Sequence, residues 1–140
     1  MFPADESEPV RLSTVGLVDV TGESMAFLPV ELVYRATDPL AVTMVLVGPD
    51  GEEVRWTFAW DLLTAGLVAP TGEGEVRVSP ATEGFHGVEV ALVPSFGVRV
   101  RLPRQEVAAF VRALRGRQGC DADRVGAALD AALAEIMTGA

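Results

Sequence analysis

The chain contains no lysine: all 11 of its basic side chains are arginine, set against 20 acidic ones, for a net charge of −9. The missing lysine points to a GC-rich genome and carries no chemistry. The charge does, because an acidic domain repels phosphate at long range, and nucleic-acid binding would need a local arginine cluster strong enough to overcome that field. Aromatic residues make up only 6% of the chain, too few to suggest a base-stacking platform. The one cysteine, Cys120, excludes an internal disulfide and fits a reducing cytoplasm. No apolar run approaches the roughly 20 residues that a membrane helix needs, the best being the strand-length stretch from Leu40 to Val47. The first residues, with Asp5, Glu6 and Glu8, lack the basic region and apolar core of a signal peptide. A soluble, cytoplasmic protein is expected.

The 140-residue chain is apolar for its size, 49% hydrophobic with a mean hydropathy of +0.31, and long enough for one domain with a substantial core. Residues 1–9 hold two prolines and three acids and read as a flexible acidic tail, leaving 10–140 as a single domain. Val10 to Val20 and Met25 to Arg35 read as strands of a hairpin, with Leu28, Val30, Leu32 and Tyr34 on one face. Pro29 argues for an edge or a bulge there, since proline cannot donate to a ladder. The third strand, Ala41 to Val47, is apolar on both faces and so central or covered. Gly48-Pro49-Asp50-Gly51 turns into a fourth strand, where Val54, Trp56 and Phe58 alternate with Arg55 and Thr57.

A short helix follows, with Asp61 as its cap and Gly66 as the left-handed residue that folds Leu67 back onto Leu62. Pro70, Gly72 and Gly74 turn the chain into a strand at Val76 and Val78, and Val88–Val93 and Gly97–Leu102 are two more strands. Val107, Phe110, Val111 and Leu114 recur at helical spacing up to Gly116. Gly119 is expected to break the chain before a last helix striped by Val125, Leu129, Leu133 and Ile136. The expected class is α+β: about seven antiparallel strands, a short central helix and two C-terminal helices.

Chemistry is hard to place on these residues. His86 with Glu83 and Glu89 falls short of the three or four converging, supported ligands of a stable transition-metal site. Cys120 has no neighbouring cation to activate it, and no nucleophile elbow frames a Ser–His–Asp order. Thr71-Gly72-Glu73-Gly74 lacks the lysine and following helix of a phosphate loop. No catalytic residue, cofactor or metal ligand is assigned. Arg99 and Arg101 share one face of a strand whose other face is apolar, with Arg104, Arg112 and Arg115 on the helix that follows. These arginines form either a partner-binding patch or a solvated face balanced by glutamates. Trp60 either anchors a partner or caps the core beside Trp56, which is expected to be the core tryptophan. Phe85, Phe96 and Val98 are either contacts between protomers or core.

The pattern Trp56-x-Phe58, Asp61-Leu62-Leu63-x-x-Gly66-Leu67-x-x-Pro70-x-Gly72-x-Gly74-x-Val76-Arg77-Val78-x-Pro80 resembles the SsgA-like sporulation and cell-division proteins of actinomycetes. Asp38-Pro39 and Ala41-Val42 resemble the family's turn and strand upstream. Two positions depart from the pattern: Trp60 stands where arginine is expected and Glu75 where aspartate is. The resemblance implies the Whirly-like fold proposed for the family, with two antiparallel sheets meeting at an angle. It further implies a non-catalytic adaptor in sporulation-specific division that promotes septum-site selection and recruits the FtsZ ring through protein contacts. Its partners would be FtsZ or another SsgA-like protein, and it would act in the cytoplasm at division septa. The high apolar content and exposed sheet edges suggest a homo-oligomer, and the resemblance favours a trimer. The alternative is a single-stranded nucleic-acid binder, as the Whirly-like fold serves elsewhere; the charge and the scarcity of aromatics oppose it.

Overall fold

The strand at Val10–Val20 pairs on both sides, and that double pairing decides the architecture. In the computed structural model, residues 9–20, 24–81, 87–92 and 97–138 are described, apart from the side chains of 20, 24, 73, 118–128 and 135–138. The elements run β1 (Val10–Val20), β2 (Ser24–Tyr34), β3 (Ala41–Val47), β4 (Glu53–Ala59) and α1 (Asp61–Gly66). They continue with β5 (Thr71–Glu73), β6 (Val76–Ala81), β7 (Gly87–Leu92), β8 (Val98–Pro103) and α2 (Arg104–Thr138). β1 through β4 form one meander and β5 through β8 another. β1 also pairs with β8, from Leu17↔Arg101 to Val20↔Val98, and so joins the two meanders. The result is one eight-stranded antiparallel sheet in the order β4-β3-β2-β1-β8-β7-β6-β5. The expected α+β class holds, while the two expected sheets are a single continuous one.

The alternation seen in sequence becomes one buried face. Val18, Val30, Leu32, Tyr34, Val42, Met44, Val78, Val90, Val100 and Leu102 line it, covered by Leu63 of α1 and by Val107, Phe110, Val111 and Leu114 of α2. Thr14 Oγ1 donates to Glu106 at 2.7 Å, fixing the start of α2 on β1. Pro29 lies in an interior strand, but one residue outside the stretch Val30–Val33 that pairs with β3, so its missing donor interrupts no ladder there. β3 lies inside the sheet, and Val45 on its outer face is buried along with Met44 and Leu46 on its inner one.

Local signals were overruled at three places. Trp60 rather than Asp61 occupies the N-cap of α1, without a side-chain cap bond, and Asp61 stands in the first turn where its charge suits the dipole. Gly66 is not left-handed; positive φ among the described residues occurs only at Gly51, Gly74 and Gly97. Gly66 serves close packing instead, because a Cβ there would lie 2.6 Å from Cβ of Val78. Finally, α2 continues through Gly116 and Gly119 for 35 residues, where two helices were expected. A glycine inside a helix costs about 1 kcal/mol relative to alanine, too little to end a long cooperative segment by itself. Towards its end α2 exposes Leu129 and Leu133, at 59% and 56%.

Candidate partner-binding surface

Directly opposed residues of antiparallel strands share a face, so the register maps the side of the sheet that α1 and α2 leave uncovered. Two rows cross it. One runs Arg77, Ala91, Arg99, Asp19, Met25; the other runs Ser79, Glu89, Arg101, Leu17, Phe27. In these two rows the arginines sit over β6 to β8, and the exposed apolar side chains lie on β1 and β2, with Asp19 of β1 between them. Phe27 is 72% exposed, Met25 60% and Val15 54%. Large apolar side chains grouped on one uncovered sheet face mark an interaction surface more often than isolated ones do.

The arginines on this face differ. Arg101 Nε donates to Glu89 Oε1 at 3.3 Å in a partly buried pair. Arg99 is exposed and has no ion pair among the described residues. Across the sheet Arg11 pairs with Glu31 and Arg55 with Glu53, each at 2.7 Å, while Arg35 beside them has no ion pair among the described residues. Arg104 turns away from this face and donates from Nη1 to the carbonyl oxygen of Leu67 at 2.6 Å, closing the end of α1. Arg112 and Arg115 are exposed on α2.

Of the two tryptophans, Trp60 takes the core-capping place that was one of its two expected roles, and Trp56 is the less buried of the pair. Trp60 is 6% exposed and belongs to the core, whereas Trp56 is half-buried at its edge. A ring so enclosed offers a partner almost no surface. The indole Nε1–H of Trp60 is buried with no hydrogen-bond acceptor among the described residues, so apolar burial holds the ring in place. Trp60 ends β4 as α1 begins, and the reversal of the chain directs its ring beneath the sheet. Val98 is half-buried against the core cluster. Phe85, Phe96, His86 and Glu83 lie outside the described residues, as do residues 1–8 and the side chain of Cys120. Among the described residues no three histidine, cysteine or acidic side chains gather to hold a metal. No helix of the described residues is long and apolar enough to cross a membrane.

Sequence reasoning missed Val15, Met25 and Phe27 as surface and Arg77 as part of this face. The signal was present at Val15, Leu17, Met25 and Phe27, apolar residues at odd-numbered positions of β1 and β2 on a face that needs no core.

A family model described as Streptomyces sporulation and cell division protein, SsgA, matches residues 28–116. The chain belongs to the SsgA family. Among SsgA-family relatives, the sporulation-specific cell division protein SsgB of Streptomyces coelicolor is 44% identical over 69 residues, 49% of this chain and 50% of that protein. SsgB of Saccharopolyspora erythraea is 32% identical over 108 residues, 75% of this chain and 77% of its own length. The SsgB proteins of Thermobifida fusca and Kineococcus radiotolerans are matched over 54% and 53% of their length, so the chain spans about half of each. The fold is similar to the crystal structure of an SsgA-like sporulation-specific cell division protein from Thermobifida fusca. That match has a TM-score of 0.78 and 28% identity, covering 95% of this chain and 98% of that one. The pattern from Trp56 to Pro80 on which the resemblance was drawn lies wholly within the matched residues.

Proposed function

We propose that this SsgA-family chain is a non-catalytic adaptor in sporulation-specific cell division, acting through protein contacts on the uncovered face of its sheet. The observation that carries the reading is that face: an exposed apolar strip of Val15, Met25 and Phe27 beside Arg99 and Arg101. An enzyme needs a cleft with converging polar groups. A docking protein needs an apolar centre with charged groups at its rim, which is the arrangement on this surface. Its relatives are named as sporulation-specific division proteins, and that supports the process.

The finer reading is that the adaptor promotes septum-site selection and recruitment of the FtsZ ring, in the cytoplasm at division septa. Because the chain carries a net charge of −9, attraction by bulk charge is a poor basis for binding an acidic partner; local arginines and apolar contact must supply it. The apolar strip of β1 and β2 also suits contact between copies of the chain, in a closed homo-oligomer of three protomers. Val98, Phe85 and Phe96 remain proposed contacts of that assembly.

Co-purification of the tagged chain from sporulating cells, with partners identified by mass spectrometry and a direct pull-down with FtsZ, tests the adaptor. FtsZ or a second SsgA-like protein should be enriched, and a fluorescent fusion should mark septa. Capture lacking any division protein refutes the reading.

A further inference from the structure

The charged half of the sheet's uncovered face holds an open depression of about 670 Å³ over β5 to β8, and Arg77 and Arg99 both line it. Each is the cross-strand neighbour of Ala91 on β7, one from β6 and one from β8. Two strand spacings put their backbones about 10 Å apart. Ala91, with only a methyl group, leaves the ground between them open. Thr71 and Ser79 add hydroxyl groups to the lining. The β5 side is held close by Gly72, where an added Cβ would sit 2.8 Å from both Cα and Cγ of Arg77. Any side chain at Gly72 would displace the arginine.

The charges around the depression are unevenly satisfied. Glu89 also lines it, but its carboxylate is engaged by Arg101. Asp19 lies opposite Arg99 in the β1–β8 register, yet no ion pair joins them. Neither Arg77 nor Arg99 has an ion-pair partner among the described residues, although the chain has 20 acidic residues to supply one. Arg35, Arg112 and Arg115 likewise have no ion-pair partner among the described residues; Arg35 lies in a depression with Arg11 and Arg55, both of which are paired.

We infer that the Arg77–Arg99 depression binds an acidic peptide segment of a protein partner, one guanidinium taking each of two carboxylates. In an extended peptide, residues i and i+2 point the same way about 6.6–6.8 Å apart, and two long arginine side chains readily converge by the remaining few ångströms. Acidic residues at alternate positions therefore match the site. The planar guanidinium fork suits each carboxylate. A single small anion would leave one arginine unused. The inference rests on the adaptor reading and gives its partner a chemistry.

Fluorescence anisotropy with the full chain tests it, using a labelled ten-residue peptide of alternating glutamate and serine and its glutamine counterpart. Saturable binding of the glutamate peptide alone is expected. R77Q and R99Q should each weaken it about tenfold, the size of one lost charge-assisted hydrogen bond, and R112Q should leave it unchanged. Both substitutions are at exposed positions, and thermal unfolding of each variant checks that the fold is kept. Equal binding of the glutamine peptide overturns the inference, as does an R112Q loss matching that of R77Q. Displacement of the peptide by equimolar inorganic phosphate would mark a simple anion site and also overturn it. So would an oligo-dT probe that binds more tightly and depends on the same two arginines. Pull-down with the R77Q/R99Q double variant separates this from the broader reading: division partners captured undiminished would sink the peptide site and leave the adaptor standing.

Discussion

Gly66 packs against Val78 with no room for a methyl group between them: a Cβ on Gly66 would lie 2.6 Å from Cβ of Val78 and closer still to its Cγ1. This contact seats α1 on β6 and, through Leu63, closes one end of the core.

Gly66→Ala should destabilise the fold. Overpacking costs about 1–3 kcal/mol, partly offset by up to about 1 kcal/mol of better helix propensity. Urea denaturation measures the net loss. The decisive version is a double-mutant cycle with Val78→Ala: the double variant should be more stable than the sum of the singles implies, by at least about 0.5 kcal/mol, since residues in contact couple. Strict additivity would show that the close approach is relaxed elsewhere.

Trp60→Ala should cost about 3–5 kcal/mol, as removal of a buried aromatic ring does, and Trp56→Ala less because that ring is only partly buried. Chemical denaturation of the two variants compares them directly. Trp60→Phe should recover most of the loss, because the indole N–H it removes has no acceptor to lose. A larger loss at Trp56 than at Trp60 contradicts this assignment.

A trimer should appear in light scattering coupled to size-exclusion chromatography as three times the 14.8 kDa chain mass. Phe27→Asp puts a charge in the middle of the exposed strip and should lower that mass while leaving the circular dichroism unchanged, since the 72% exposed ring contributes little to the protomer's own core. A mass equal to one chain in the unmodified protein refutes self-association. An unchanged mass in the variant moves the interface away from β1 and β2.

Single-stranded DNA and RNA should bind no more tightly than the non-specific range of about 10⁻⁴–10⁻⁶ M at physiological salt. The field of a chain with net charge −9, with only a few arginines unpaired among the described residues of that face, falls well short of a phosphate-tracking groove. Anisotropy with labelled oligonucleotides checks it; nanomolar, salt-sensitive binding would replace the adaptor with a nucleic-acid function.

Periodicity and turn residues carried most of the fold because both are local. Leu28, Val30, Leu32 and Tyr34 alternate whatever β2 pairs with, and Val107, Phe110, Val111 and Leu114 mark the buried side of α2 at helical spacing. The family was legible for a related reason: the glycines and apolar residues between Trp56 and Pro80 meet geometric demands that few other residues meet. The pairing of β1 with β8 could not be read this way. It joins residues some 80 positions apart, and no local pattern states which edge a strand will find. Gly66 looked like a helix stop because glycine is cheap in the left-handed region, yet only its contact with Val78 reveals that absent volume was what mattered. Trp56 and Trp60 are equally apolar in sequence; the turn from β4 into α1 decided which ring the core took. The same holds for the proposed site. The sequence determined that Arg77 and Arg99 face outward from their strands. That they flank one alanine across the strand between them, with no acid among the described residues paired to either, was decided by the register of the sheet.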